Sequence, residues 1–353
     1  MDELKTMRSE IDSLDLEVAR LLLKRMEYVV RIKRFKGERI EDQNRESEVI
    51  DAIKRVSYGL LDSNFTTEMY AQIMQESKRL QAQELTLCGF QGEHGAYSEI
   101  GVNSLGKSWV AVPCPEFADV FSGVESGAID YGIIPVENSI AGEVAGATDL
   151  LVHTNLQIVC EVVVQVNHAL MCLPGTDHRE IRTVYSHPQA LAQCKNFLSR
   201  NKLEAEAFYD TAGSAMMLRQ KSLKGTACIA SILAGKLYGL EVIKEGIQDD
   251  NPNETRMLVV SKQPSAVPGN KCTIVFGTKD ESGALFKALK AFSENNINLT
   301  RIESRPNRSN PGTVLFLLDF MGNNQDGAVA KTLEQVKSMS TTYRFLGCYT
   351  SAR

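Results

Sequence analysis

The chain has 353 residues, of which 43% are hydrophobic and 24% charged, with a formal net charge of −5. At roughly 150 residues per domain, that length implies two or three domains. The acidic balance argues against a dedicated nucleic-acid binder, no apolar run reaches the ~18 to 20 residues of a membrane span, and the charged opening MDELKTMRSEIDS lacks the apolar core of a secretory signal. Eight cysteines stand singly, with no C-x2-C pair and no histidine cluster beside them, so no metal site is expected. The apolar neighbours of Cys160 and Cys172 read as buried, reduced thiols of a cytoplasmic protein.

Residues 1–84 contain no Pro and read as all helix. Leu4, Met7, Ile11, Leu14, Val18, Leu21 and Leu22 recur at three-and-four spacing, an amphipathic stripe. Continued to Lys36, this first helix would be about 50 Å long, too long for any partner within 84 residues, which calls for a second copy of the chain. Two further helices are expected over 44–56 and 66–83, with residues 64–67 supplying caps. From Leu85 the texture changes to short apolar runs (85–90, 131–136, 157–166, 169–173, 183–186, 227–230) between helical patterns, the mark of an α/β domain over 85–264. QPSAVPGN (263–270) is a linker candidate. Residues 271–353 follow a βαββαβ order, with strands over 271–277, 298–304, 313–321 and 343–350 and helices over 283–295 and 326–340, the ferredoxin-like α+β arrangement.

Eight basic residues against two acidic ones fall within 20–39. A solvated helix face is one reading and an anion site the other. Arg25 and Lys36 are eleven residues apart and so lie about 20° from one face, whereas Arg8 points roughly a quarter-turn away. Arg8 in MRSEIDSLD, Arg25 in LLLKRMEYV, Lys36 in RIKRFKG, Asp42, Arg45 and Glu46 in EDQNRE, and Ser77 and Gln81 in QESKRLQ resemble the all-helical chorismate mutase family in order and spacing. The resemblance implies a unimolecular rearrangement of a dianion, catalysed by conformational restraint and charge stabilisation. It makes Arg8 (from a partner chain), Arg25 and Arg45 the carboxylate clamps. Lys36 and Gln81 become donors to the ether oxygen, Asp42 and Glu46 ligands of the ring hydroxyl, and Ser77 a further carboxylate contact. The loop at 37–41 is about three residues shorter than is usual in that family, which bears on Asp42.

In the middle domain, GFQGEHGAYSE (89–99) is a Gly-rich turn without Walker or Rossmann spacing. YGIIPVENSIAGEV (131–144) presents Glu137, Asn138 and Ser139 at a strand end, YSHPQAL (185–191) presents Ser186, His187 and Gln189, DTAGSA (210–215) opens a helix at Thr211 whose N–H groups could bind an anion, and NPNETRMLVV (251–260) places Thr255 and Arg256 at a strand start. Taken one by one, these are also turn formers and helix caps. Together the strings resemble the prephenate dehydratase family, two α/β lobes like those of periplasmic binding proteins, with crossings near Val166 and Leu240. The resemblance implies a cofactor-free conversion of prephenate to phenylpyruvate, water and carbon dioxide in that cleft. Thr255, in place of the Thr of a T-R-F motif, would assist the leaving hydroxyl, and Arg256 would hold a carboxylate or brace the site. Met257 stands where that family has Phe.

GALFKAL (283–289) and NLTRIESRP (298–306) resemble the regulatory ACT domain of these dehydratases. That likeness implies L-phenylalanine binding between paired domains by Gly283, Ala284, Leu285, Asn298 and Leu299, with Glu303 and Ser304 of the E-S-R-P string, and Arg305 as an interface brace. In order, the three resemblances imply a bifunctional chorismate mutase–prephenate dehydratase, feedback-inhibited by L-phenylalanine, self-associating as a dimer or more. Arogenate dehydratase and a non-catalytic amino-acid-sensing protein are the alternatives.

Overall fold

The computed structural model describes residues 2–36, 40–307, 310 and 312–352. The chain divides into one unit reaching to Leu87 that also takes in Ser108–Val110, and a second unit holding the remainder. The first unit is built on three helices, α1 (Asp2–Lys36), α2 (Gln43–Val56) and α3 (Ser63–Ala82). α1 has 35 residues and is therefore about 52 Å long. Its second half meets α3, where Gln81 Nε2 donates to the Val29 carbonyl at 2.8 Å. Along its first half Leu4, Met7, Ile11, Leu14, Val18 and Leu21 are each 54–60% exposed, so the apolar stripe has no cover within the unit. α3 starts earlier than expected because its cap is Asp62, whose carboxylate accepts from the N–H groups of Asn64 and Phe65, and not a residue within 64–67.

The strands β1 (Thr86–Gln91) and β2 (Trp109–Cys114), the first two residues of each falling in the first unit, with β3 (Tyr131–Asn138), β4 (Gly142–Glu143) and β5 (Gln157–Gln165), begin one lobe of the second unit. The chain then crosses into a second lobe with β6 (Ala169–Cys172), β7 (Thr183–Ser186), β8 (Glu204–Ala207), β9 (Thr226–Ala230) and β10 (Glu241–Glu245), and returns with β11 (Glu254–Ser261). The lobe-one sheet runs β2-β1-β3-β11-β5 with β4 on β3, and the lobe-two sheet runs β10-β6-β9-β7-β8. The first crossing falls after β5 as expected. The return comes after Glu245, not near Leu240, because β10 belongs to the second sheet, paired with β6.

The carboxyl-terminal strands β12 (Lys271–Lys279), β13 (Leu299–Pro306), β14 (Thr313–Met321) and β15 (Thr342–Tyr349) form an antiparallel sheet in the order β13-β14-β12-β15. Its alternation sends Cys272, Ile274, Phe276, Leu318 and Phe320 towards the helices Ala284–Glu294 and Gly327–Met339. Each such side chain contributes roughly 1.5–3 kcal/mol by burial. The other face lies against lobe one. There β15 approaches β5 so closely that any Cβ at Gly347 would collide with the Ile158 carbonyl oxygen, which only glycine allows.

Between these layers lies a buried ion network. Arg256 of β11 pairs through Nε with Glu161 of β5 (2.7 Å) and through Nη1 with Asp319 of β14 (2.6 Å), and Lys271 of β12 pairs with the same Glu161 oxygen (2.8 Å). Thr273 donates to the other Asp319 oxygen at 2.7 Å, and Arg256 Nη2 donates to the Tyr349 hydroxyl at 3.2 Å. Two cations thus meet two carboxylates, and all four residues are buried. Burial alone would raise the Glu161 pKa, but Arg256 and Lys271 outweigh it and hold the carboxyl below its ordinary value. Among the described residues no helix is long and apolar enough to cross a membrane.

Glu161→Gln takes the carboxylate partner from buried Lys271, leaves Arg256 with Asp319 alone, and should lower unfolding free energy in denaturant titration by about 3–5 kcal/mol. The native Glu161 contribution is complete above the ordinary carboxylate pKa of about 4.3 and is lost as pH falls through its depressed folded value, so the variant should also show a shallower acid limb.

Candidate functional site

In the helical unit the structure brings together Arg25, Ser77 and Gln81 between α1 and α3. Arg25 Nη1 donates to Ser77 Oγ at 2.6 Å, and Ser77 in turn donates to the Ile73 carbonyl at 2.7 Å. Glu46 of α2 is tied to Lys78 of α3 at 2.9 Å. Other expected residues are spread out. Asp42 is the cap of α2, its carboxylate accepting from Arg45 N–H, and Arg45 extends to Glu48, so Asp42 is engaged by the backbone. Lys36 is exposed in the last turn of α1, and Arg8 is exposed on the uncovered half. Residues 37–39 of the short loop lie outside the described residues.

In the second unit a cavity of about 110 Å³ lies between the lobes, lined by Tyr97, Asn138, Val166, His168, His187, Gln189, Ala190, Gln193, Thr211 and Thr255. Five of the expected residues are there: Asn138, His187, Gln189, Thr211 and Thr255. The ladder pairs Thr255 with Asn138 directly, which sets their side chains on one face. Asn138 Oδ1 accepts from the N–H groups of Ile140 (3.1 Å) and Ala141 (2.8 Å), and this fixes the orientation of its amide. Its Nδ2 therefore donates to Asn253 Oδ1 at 2.8 Å and to Thr255 Oγ1 at 3.1 Å. As an acceptor from Asn138, Thr255 keeps its own proton for a group in the cavity.

The same bookkeeping sets a histidine tautomer. Gln193 Nε2 donates to Asn138 Oδ1 at 3.2 Å, so Gln193 Oε1 accepts, from Asn253 Nδ2 at 3.1 Å and from His168 Nε2 at 2.8 Å. Burial pushes the His168 pKa down, against a smaller upward pull from Gln193. The neutral ring carries its proton on Nε2 and turns Nδ1 to the Tyr97 hydroxyl, 3.0 Å away. That hydroxyl also lies 2.7 Å from the Asn167 carbonyl. Tyr97, His168, Gln193 and Asn253 were not among the expected residues. Three sit in or beside the strings that were singled out, and His168 is a polar residue at the head of the apolar run of β6.

Other expected residues do not reach the cavity. Arg256 and Glu137 are ladder partners one position along from Thr255 and Asn138, so they face the opposite side of the sheet, and Arg256 is spent on Glu161 and Asp319. Ser186 is fully buried and donates to the Ile229 carbonyl at 2.7 Å. Ser139 links the Pro252 carbonyl and the Glu254 N–H, joining two segments of backbone. The helix Thr211–Lys221 is capped by Asp210, whose carboxylate accepts from Gly213 N–H at 2.6 Å; this carboxylate occupies the place an anion would take. The Gly-rich turn serves lobe contact: Ser231 donates to the Gly95 carbonyl at 2.5 Å, Tyr238 to that of His94 at 2.9 Å, and a Cβ on Gly95 would strike Ala234. Among the described residues, Cys172, His178 and Glu241 hold potential metal ligands within 4.8 Å of one another, and none of them lines the cavity.

In the carboxyl-terminal sheet, Gly283 (φ +82°) begins the helix Ala284–Glu294, whereas Asn298 and Leu299 follow that helix's end. Its 11 residues separate the two groups by about 16 Å within one chain. Glu303 faces lobe one instead, with burial first and the nearby Glu143 next raising its pKa. Arg305 bonds to Asp149 and Glu143, bracing the same interface.

A chorismate mutase type II family model matches residues 7–82, a prephenate dehydratase model 88–265 and an ACT domain model 273–338. The arogenate dehydratase/prephenate dehydratase 2 of Arabidopsis thaliana is 40% identical over 273 residues, covering 74% of this chain and 71% of that protein. The bifunctional chorismate mutase/prephenate dehydratase of Aquifex aeolicus is 33% identical over 362 residues, covering 100% of this chain and 99% of that one. The structure of a prephenate dehydratase from Arthrobacter aurescens in complex with L-Phe superposes with a TM-score of 0.71 at 30% identity, over 76% of this chain and 90% of that one. With the helical unit, the two-lobed cleft and the ferredoxin-like domain in this order, the chain belongs to the bifunctional chorismate mutase/prephenate dehydratase family.

Proposed function

We propose that the cavity between the lobes takes prephenate, with Thr255 as the group that meets the departing hydroxyl. In this reaction the ring carboxylate leaves as carbon dioxide, its bonding electrons complete the aromatic ring, and the C4 hydroxyl departs to become water. Aromatisation drives the step, so the protein's task is to hold the dianion and stabilise the leaving oxygen. The observation that carries this reading is the fixed Asn138 amide, which leaves the Thr255 proton for the substrate. His187, Gln189, Gln193 and Thr211 supply neutral polar contacts around it. No carboxylate, Lys or Arg lines the cavity among the described residues, so the lining sets no charge preference between the keto acid prephenate and arogenate. The Arabidopsis relative's name carries both substrates, and direct competition between them decides.

In the helical unit, Lys36 and Gln81 are read as donors to the ether oxygen of chorismate, and Arg25, Arg45 and Ser77 as carboxylate contacts, with Glu46 and Asp42 at the ring hydroxyl. Arg8 and Arg25 lie on one helix, about 26 Å apart by their 17-residue separation, so Arg8 serves a site completed by a second chain. The exposed stripe of α1 supplies the contact. L-Phenylalanine as effector follows the same logic: Gly283–Leu285 of one copy would meet Asn298–Leu299 of another, with Glu303 on the lobe-one face of β13 and Ser304 exposed on the other face. We place the domains at 1–84, 85–264 and 271–353. The cytoplasmic setting has the support of eight free cysteines.

Thr255→Val should lower phenylpyruvate formation from prephenate by about 10²-fold or more in kcat, with mutase turnover unchanged, and Thr255→Ser should recover most of it; equal loss in the Ser variant contradicts the hydrogen-bonding role. A charge in the stripe, Leu14→Lys, should abolish mutase activity while prephenate is still consumed, the carboxyl-terminal pairing being left intact.

A further inference from the structure

Two joints connect the carboxyl-terminal domain to lobe one, and they differ in how well they are satisfied. At the Arg256 joint each charged group has close partners of opposite sign, and such a saturated buried network is rigid. The second joint is centred on Arg301 of β13, which is only 8% exposed. Its Nη2 donates to Thr148 Oγ1 at 2.9 Å, but its Nε and Nη1 are buried without a hydrogen-bond partner. Two carboxylates stand just out of reach: Glu303 Oε1 is 3.7 Å from Nε, and Glu143 Oε1 is 3.8 Å from Nη2. A shift of about 1 Å would bring both within hydrogen-bond length.

We propose that Arg301 is the movable link by which the ligand state of the carboxyl-terminal domain reaches the dehydratase cleft. The proposal rests on the reading of L-phenylalanine as inhibitor. On one side, Arg301 lies between Leu299 and Glu303, within the strand assigned to the effector. On the other, its Nη2 also donates to the Val136 carbonyl at 3.5 Å, two residues before Asn138. Glu143 is the ladder partner of Glu137, and Gly142 that of Asn138. A guanidinium that leaves Thr148 for Glu303 and Glu143 therefore pulls on the strand end that holds the Asn138 amide, and with it the orientation of Thr255. The Thr148 arrangement is the active one. Effector binding that displaces β13 selects the carboxylate arrangement, and Arg305 keeps the strand docked in both. A bistable contact biased by both sites is what thermodynamic coupling requires.

The test is inhibition of the full chain by L-phenylalanine, read from phenylpyruvate formation. Arg301→Gln removes the link, so the half-inhibitory concentration should rise about 10-fold or more, with the rate in the absence of effector changed by less than about threefold. Thr148→Val keeps Arg301 but withdraws its active-state partner. That variant should show the opposite sign: a lower uninhibited rate and a half-inhibitory concentration reduced by about 3- to 10-fold. A static brace would lower the melting temperature without moving inhibition in opposite directions. If Arg301→Gln fails to fold, Thr148→Val decides alone. An inhibited wild type with variants inhibited equally, or Thr148→Val inhibited less, overturns the link. A wild type indifferent to L-phenylalanine overturns the regulatory reading and the link with it.

Discussion

A β-strand sends successive side chains to opposite faces, and in β11 that alternation parts Thr255 from Arg256. Thr255 enters the cleft beside Asn138, while Arg256 enters the buried network with Glu161 and Asp319. One strand thus carries the group assigned to the chemistry on one face and the attachment of the carboxyl-terminal domain on the other. The arrangement is costly to disturb, since a guanidinium buried at that depth needs both carboxylates. It is also informative, because the strand holding Thr255 cannot shift without Arg256 shifting in its socket.

The two chemistries on this chain place different demands on their surroundings. The mutase reaction needs cations and donors in a fixed array, and a helix of 35 residues distributes them over a length no single site spans. An uncovered apolar stripe and a distant arginine are two aspects of the same unfinished unit. The dehydratase reaction needs a polar but uncharged enclosure around a leaving hydroxyl. The chain from backbone N–H through Asn138 and Gln193 to His168 builds one in which each donor direction follows from the one before.

Much of this was legible in the residues themselves. The stripe of α1, the βαββαβ order and the strand ends bearing Asn138, His187 and Thr255 follow from periodicity and composition. Strand parity could have excluded Arg256 from the cleft once Thr255 was assigned to it; the two were grouped because they are neighbours in a motif. Ser186 and Ser139 were legible only as polar residues at strand ends, and their backbone partners come from remote segments. His168 and Asn253 lie in the loops just before β6 and β11, and Gln193 ends the short helix Pro188–Gln193, so three separate stretches of chain meet only on folding. The strand EVIKE (241–245) is mostly exposed and sets its two apolar residues side by side, so no alternation marks it as the last strand of lobe two, and the return falls later than the sequence implies. Asp210 and Asp62 act as caps through side-chain geometry that spacing alone leaves open.

One experiment tests the bifunctional assignment most directly: the purified full chain, with chorismate as its sole substrate, followed for chorismate loss, prephenate and phenylpyruvate. Chorismate should disappear and phenylpyruvate should form without any added enzyme or cofactor, because both reactions belong to this one polypeptide. Accumulation of prephenate as the end product would contradict the assignment of the cleft, and unchanged chorismate would contradict that of the helical unit.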